Sequence, residues 1–147
     1  WGILLLFGGG MALAKGFDSS GLAVWIGSQM NFFSDIPLII ILLVLIAMVN
    51  FLTEITSNLA TTAMLLPVLV ALANTIDINA YYLLVGATVA ASCAFMLPVA
   101  TPPNAVVFGS KILNIDDMIK KGFWMNLISI FILTSAVYWI LPLIWGF

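Results

Sequence analysis

The chain has 147 residues, of which 64% are hydrophobic and only 7% are charged, whereas a soluble domain has roughly 45–50% apolar and 25% charged residues. Its net charge is −2, from four lysines, no arginine and six acidic residues, so it lacks the basic surface that nucleic-acid binding requires. It has no histidine and one cysteine, Cys93, which excludes an internal disulfide, His-based zinc sites and histidine-activated nucleophiles. The composition indicates a membrane protein and argues against an enzyme.

Four uncharged stretches reach the roughly 18 residues that a bilayer-spanning helix needs. Apolar segments are predicted at residues 1–15, 21–33, 36–56, 59–74, 80–97, 104–112 and 118–145, with short connections between them. The predicted fold class is an all-α membrane protein, a polytopic helical bundle. Because the chain starts at Trp1 with neither a methionine nor a basic leader, we expect it to be a fragment or a later part of a longer protein.

Polar residues mark the predicted starts of several helices. Ser34 or Asp35 is the expected N-cap of the helix that follows, with Pro37 in its first turn, where a missing N–H costs nothing. Asp77–Asn79 separates two further segments, and Asn114–Asp117 opens the last one.

The lysines suggest an orientation. Lys111, Lys120 and Lys121 cluster before the last span, which places that loop in the cytoplasm under the positive-inside rule. The last span is therefore expected to run from the cytoplasm to the outside.

Three prolines interrupt the third uncharged stretch, in the sequence Pro98-Val-Ala-Thr-Pro-Pro-Asn104. Proline lacks an N–H and disfavours helical backbone at the preceding residue, so the helix is predicted to unwind near Pro98 and to restart at about Asn104. The unwound chain is expected to expose carbonyls, including those of Ala100 and Thr101, and these are hard oxygen ligands for a small cation. The alternative is a structural helix kinked by its prolines.

A second polar interruption runs from Phe51 to Thr62. Ser57-Asn58 resembles an N-cap for a helix that begins at Leu59, and the apolar arms on both sides suggest a re-entrant hairpin with its tip in the membrane. Such a helix start offers free N–H groups and a positive dipole end to an anion. The alternative is two complete spans joined by a polar turn.

Glu54 lies within this interruption, away from any evident span end. An ionised carboxylate at membrane depth costs roughly 2.5–3.5 kcal/mol on insertion scales, so such a group is usually functional or paired. The alternative is that Glu54 is an acid near the membrane interface, or one that is hydrogen-bonded to the hairpin backbone, without a role in binding. Other polar residues in the spans are predicted to form interhelical hydrogen bonds: Asn50, Thr88, Ser92 and Asn126.

Both interruptions resemble a known family. Thr53-Glu-Ile-Thr-Ser-Asn58 with Ala60-Thr61, and Ser92-Cys-Ala-Phe-Met-Leu-Pro-Val-Ala-Thr-Pro-Pro-Asn-Ala105, are similar to the C-terminal half of the divalent anion/sodium symporters, the INDY-type dicarboxylate carriers. Trp1–Gly10 and Gly21–Gly27 agree, so the similarity covers essentially the whole chain. It implies that 1–147 is the C-terminal repeat of an inverted-repeat transporter. Its expected parts are a span plus a short connecting helix at 1–35, a re-entrant hairpin region at 36–76, a broken helix at 78–112 and the last span at 118–147.

The resemblance also implies a binding site where the hairpin meets the broken helix. Its sodium ligands would be Thr53, Thr56, Asn58 and Ala100, several through backbone oxygens. Its substrate contacts would be Ser57, Asn58, Thr101 and Pro102. The family's hairpin motif is Ser-Asn-Thr, and Leu59 replaces the threonine here, which removes a hydroxyl contact to the anion and bears on substrate choice.

The function expected from these residues and this resemblance is sodium-coupled symport of a dicarboxylate or tricarboxylate such as succinate, malate or citrate. Na⁺ is the coupling ion, and the expected location is the bacterial inner membrane, as a multi-pass protein. Expected partners are the small-molecule substrate, the lipid bilayer, the N-terminal half of the same transporter and, at full length, a second copy in a homodimer. Rival functions are transport of another divalent anion such as sulfate, a proton-coupled carrier, and a non-transporting membrane subunit.

Overall fold

The computed structural model describes residues 36–146 continuously and, before them, only residues 1, 4, 5, 8, 9, 12, 15, 16, 19–22 and 25. The described residues are helical and contain no strand. The helices are α1 (Leu38–Thr53), α2 (Asn58–Thr75), α3 (Ala80–Ala91), α4 (Pro102–Gly109), α5 (Ile115–Ser135), a π-helical segment (Ala136–Ile140) and α6 (Leu141–Trp145). The span and connecting helix predicted at 1–35 fall outside the continuously described residues.

Two of these helical stretches are long and apolar enough to cross a bilayer. They are α2, with 18 residues, and the continuous run Ile115–Trp145, with 31 residues. At 1.5 Å per residue the second run is about 46 Å long, more than the roughly 30 Å of a hydrocarbon core. The helices α1 and α3 are apolar but shorter, so the all-helical prediction is confirmed for the described part of the chain.

The prediction that Pro37 lies in the first turn of α1 is wrong. Pro37 is the cap residue itself, with φ −54° and ψ 135°, and the helix begins at Leu38. The extended ψ keeps Pro37 outside the first turn, while its carbonyl accepts the N–H groups of Ile40 and Ile41. Ser34 and Asp35 lie outside the described residues.

The predicted starts of α3 and α5 are confirmed. The Asn79 side chain accepts the N–H of Tyr81 at 3.1 Å and so caps α3. Asn114 precedes α5, and Asp116 and Asp117 occupy its first turn, where acidic side chains stabilise the positive end of the helix dipole.

The core forms where α1 packs against α3 and α5, while α2 packs on α3. Leu42, Ile46 and Val49 of α1 are fully buried, as is Leu83 of α3. Gly86, Ala87, Ala90 and Ala91 of α3 are also buried, because small residues let neighbouring helices approach closely. Large apolar side chains cover much of the outer surface, as a protein solvated by lipid requires: Val44, Met48, Phe131, Ile132 and Leu143.

Two of the four predicted interhelical hydrogen bonds are absent from the described part of the chain. The exposed Thr88 hydroxyl donates to the Leu84 carbonyl of its own helix at 2.7 Å, since a threonine in a helix reaches the carbonyl four residues earlier. Ser92 is exposed, and its hydroxyl forms no bond within the described residues.

Gly122 of α5 touches the backbone of the chain segment that follows α3. A Cβ placed on Gly122 would lie 2.6 Å from the Met96 Cα and from the Phe95 carbonyl carbon. Because both atoms belong to backbone, one of the two segments would have to move.

We expect Gly122→Ala to destabilise the protein by about 1–3 kcal/mol, the usual cost of overpacking a well-packed core. The measurement is the thermal unfolding midpoint of the detergent-solubilised protein. Gly109→Ala is the matched control, because a Cβ at Gly109 meets nothing within 4 Å. An equal midpoint for both variants would contradict the close approach.

Candidate functional site

The first interruption is a short non-helical connection between α1 and α2. Helix α1 ends at Thr53, and α2 begins at Asn58 with Ser57 as its N-cap residue, at φ −74° and ψ 129°. The predicted helix start is confirmed to within one residue. The Ser57 side chain makes no capping bond. The N–H groups of Asn58, Leu59 and Ala60 consequently donate to nothing in the described part of the chain.

Threonine hydroxyls hold this connection in place. Thr56 donates to the Leu52 carbonyl at 2.9 Å, and its hydroxyl lies 2.6 Å from that of buried Thr61. Thr53 is fully buried and donates to the Asn50 carbonyl at 3.0 Å. These bonds tie the connection to both flanking helices.

One side-chain oxygen in this connection has no partner. The Asn58 Oδ1 is buried and forms no hydrogen bond with any described residue. The carbonyls of Thr53 and Thr56 likewise accept none among the described residues. A buried oxygen such as the Asn58 Oδ1 is normally satisfied, and all three oxygens are hard ligands of the kind that a small cation prefers.

The second interruption begins earlier than predicted. Helix α3 ends at Ala91, not near Pro98. The backbone leaves the helix there because tertiary partners replace the helical bonds: the Asn50 side chain donates to the Cys93 carbonyl, and the N–H groups of Phe95 to Leu97 bond outside their own segment.

Helix α4 also restarts earlier, at Pro102 and not at Asn104. Pro102 and Pro103 occupy the first turn, where no N–H is needed. Thr101 is the N-cap, and its hydroxyl accepts the Asn104 N–H at 3.5 Å. The Thr101 carbonyl accepts the Ala105 N–H at 3.2 Å, so the prediction that this carbonyl is free is wrong.

Asn104 braces the unwound chain from the other side. Its amide donates to the carbonyls of Ala94 and Leu97, both at 3.0 Å. Pro98 has no N–H to offer the carbonyl four residues earlier, which is that of Ala94, so the Asn104 amide replaces a lost helical bond. Sequence reasoning missed this role, although the unsatisfied carbonyl opposite Pro98 was a usable signal.

Glu54 joins the two interruptions. Its carboxylate, 3% exposed, accepts the N–H groups of Phe95 at 2.8 Å, Met96 at 2.9 Å and Leu97 at 3.0 Å. The Asn126 amide of α5 donates to it at 2.7 Å. Glu54 is therefore a buried, paired acid whose backbone partners lie in the second interruption, not in its own hairpin.

Two of the predicted interhelical bonds are confirmed at this junction. Asn126 links α5 to Glu54 and also accepts the Phe95 N–H at 3.3 Å. Asn50 of α1 donates to the Ser129 hydroxyl of α5 at 3.2 Å.

The predicted site residues fall on these two joined segments. Thr53, Thr56, Ser57 and Asn58 lie in or beside the first interruption. The others, Ala100, Thr101 and Pro102, end the second one, which turns back through the bond from the Ala100 N–H to the Leu97 carbonyl at 3.1 Å.

The Ala100 carbonyl accepts no hydrogen bond from any described residue. No hydrogen bond joins the two sets directly in the described part of the chain. Glu54 brings their segments together, and their binding roles stay predictions.

Residues 1–145 match the family model described as the sodium:sulfate symporter transmembrane region. The chain belongs to this family. The predicted membership of the divalent anion/sodium symporters is thereby confirmed, and the chain is an integral membrane protein.

The chain is 49% identical over 146 residues to the sodium-dependent dicarboxylate transporter SdcS of Staphylococcus saprophyticus. The proteins of the same name from Staphylococcus aureus strains MRSA252 and USA300 are 49% and 48% identical over the same length. In each case the match covers 99% of this chain and 28% of the relative. The chain thus spans little more than a quarter of the length of these curated relatives, which are named as transporters and not as enzymes.

We expect Asn104→Asp to lower the unfolding midpoint, because the carboxylate cannot donate to the Ala94 and Leu97 carbonyls and each unsatisfied group costs about 1–3 kcal/mol. Thermal unfolding in detergent measures the effect. Asn114→Asp is the matched control, since Asn114 is exposed and its side chain makes no capping bond. If both variants unfold at the same temperature, Asn104 does not brace the loop.

Proposed function

We infer that this chain is the C-terminal repeat of a sodium-coupled symporter for dicarboxylates or tricarboxylates such as succinate, malate or citrate. The observation that carries the inference is the Glu54 junction, which holds two polar, non-helical segments together among apolar helices. Family membership and the names of the relatives support the same function.

Sodium would bind where oxygens remain without partners. The proposed ligands are Thr53, Thr56, Asn58 and Ala100. The buried Asn58 Oδ1 and the carbonyls of Thr53, Thr56 and Ala100 accept no hydrogen bond among the described residues. The Thr53 and Thr56 hydroxyls donate their protons to carbonyls, so they too can present lone pairs. This donor set consists of hard oxygens and suits Na⁺.

The substrate carboxylate would bind at the start of α2, through Ser57 and Asn58. The N–H groups there are unpaired in the described part of the chain, and the positive end of an 18-residue helix adds to their attraction for an anion.

The second contact, through Thr101 and Pro102, has a different chemistry. Pro102 and Pro103 have no N–H, and the next one, of Asn104, is already accepted by the Thr101 hydroxyl. The Thr101 hydroxyl still has its own proton, and it can donate this proton to the anion.

Coupling follows from charge. This chain contains no arginine, so its own contribution to balancing the bound anion would come from a bound Na⁺, helix ends and hydroxyl or amide donors. Sodium would offset the anion charge and order the connection at Asn58, which completes the carboxylate site.

The complete transporter would have more parts than this chain. We place α1 and α2 in a re-entrant hairpin, and α3 and α4 in one broken helix. An N-terminal repeat would supply the other half of the site. The whole would be a multi-pass protein of the bacterial inner membrane, which dimerises and moves the site across the bilayer by alternating access.

A second candidate is transport of sulfate, because the matching family model is described by that anion. Leu59 stands where the family motif has threonine, so one hydroxyl contact to the anion is missing. The named relatives favour dicarboxylates.

The function is tested by uptake of radiolabelled succinate, citrate and sulfate into vesicles that contain the full-length protein. We expect succinate or citrate uptake that stops when choline replaces sodium and that is similar at two pH values. Sulfate uptake would favour the second candidate. Uptake that follows the pH gradient and not sodium would mean proton coupling.

We expect Asn58→Ala to lower sodium-dependent uptake by about tenfold or more, as when a metal site loses a supporting group. We expect a similar loss for Thr101→Ala, because a hydrogen bond to a charged group contributes about 1.5–3 kcal/mol. Insertion into the membrane should be unchanged in both. Asn74→Ala, on the exposed surface of α2, and Thr88→Ala, which loses only a bond within α3, are the matched controls. Normal uptake by both site variants would show that Asn58 and Thr101 do not form the site, whereas no uptake by the unchanged full-length protein would favour a non-transporting subunit.

A further inference from the structure

Glu54 has an unusual set of partners for a buried acid. Four N–H donors reach its carboxylate: three backbone groups and the Asn126 amide. Oε1 accepts Phe95, Met96 and Asn126, and Oε2 accepts Leu97 and, at 3.1 Å, Met96 again. All its hydrogen-bond partners in the described part of the chain are donors, which matches the acceptor-only character of an ionised carboxylate.

The three backbone donors are consecutive residues of the unwound segment. Successive N–H groups that converge on one point form a concave anion site, and here the anion belongs to the protein. The row ends at Pro98, which has no N–H. The carboxylate therefore both satisfies the unwound backbone and fixes its position relative to the end of α1.

The neighbours of this contact are proposed sodium ligands on both sides. Thr53 immediately precedes Glu54 in the chain. Ala100 follows Leu97 by a single turn, closed by the Ala100 N–H bond to the Leu97 carbonyl. Hence the Glu54 bonds determine the distance between the proposed sodium ligands of the first interruption and the Ala100 carbonyl of the second.

We propose that Glu54 is a positioning residue that sets the sodium affinity of the transporter by holding the two oxygen-bearing segments at the spacing that Na⁺ requires. The proposal rests on the function inferred above. Glu54 itself need not touch the ion, since all the contacts just described are made to backbone and amide N–H groups.

The test measures uptake against sodium concentration in the full-length protein, comparing Glu54→Gln with the unchanged protein. Glutamine keeps the shape and one acceptor, but its NH₂ group would face backbone N–H groups and cannot accept them. We expect the sodium concentration for half-maximal uptake to rise about tenfold, as when a group that orients metal ligands is removed. The maximal rate at saturating sodium should change much less.

Two further variants separate positioning from general packing. Thr134→Val is the matched control, because Thr134 is buried on α5 and its hydroxyl has no partner among the described residues. Its sodium dependence should be unchanged. Asn126→Ala removes one of the four donors, and the half-saturating sodium concentration should rise by about threefold, a smaller loss of the same support.

The outcomes are distinguishable. An unchanged half-saturating sodium concentration in Glu54→Gln, or a lowered maximal rate alone, would overturn the proposal while leaving sodium-coupled transport intact. If the unchanged protein shows no sodium dependence, the inferred function itself fails, and the proposal with it. If Glu54→Gln does not reach the membrane, Asn126→Ala decides, and failure of both variants to insert would assign the junction to folding and overturn the proposal.

Discussion

The structure depends on one constraint: backbone that leaves a helix among apolar neighbours must find hydrogen-bond partners elsewhere. The segment between Ala91 and Pro102 meets this constraint with side chains from outside it. Glu54 accepts its N–H groups, Asn104 donates to two of its carbonyls and Asn50 donates to a third. Each replaces bonds that a continuous helix would have made. An apolar residue at any of these positions would leave unsatisfied backbone in the core.

Some oxygens near this segment stay without hydrogen-bond partners among the described residues. They include the Asn58 Oδ1 and the Ala100 carbonyl of the proposed site, and also the Oδ1 of Asn50, whose amide holds the unwound segment. Unpaired oxygens beside a well-braced junction are available to a ligand, and the bracing keeps their positions defined. The close approach of Gly122 to the Phe95–Met96 backbone contributes to the same rigidity from the side of α5.

The charged residues of this chain bear on the proposed coupling of an anion to sodium. Glu54 is the buried charge among the described residues, and it is neutralised by N–H dipoles, not by an ion pair. The carboxylate substrate proposed above would need positive charge in such a region. This chain has no arginine, and its lysines at 111, 120 and 121 lie at or beyond the end of α4 and in the start of α5. The sodium coupling proposed above would supply such a charge from the ion.

Local sequence properties determined the helical class, the segment boundaries near Asn79 and Asn114, and the two polar interruptions, because hydropathy, caps and prolines act over a few residues. They also carried the family resemblance. Only the tertiary structure decided that α3 ends at Ala91 and not near Pro98. Likewise it decided that the Thr101 carbonyl is paired and that Glu54 bonds the loop before Pro98. The reason is distance along the chain: Glu54 is 41 residues from Phe95 and 72 from Asn126, and no local pattern shows which donors a buried carboxylate will meet once the helices have packed.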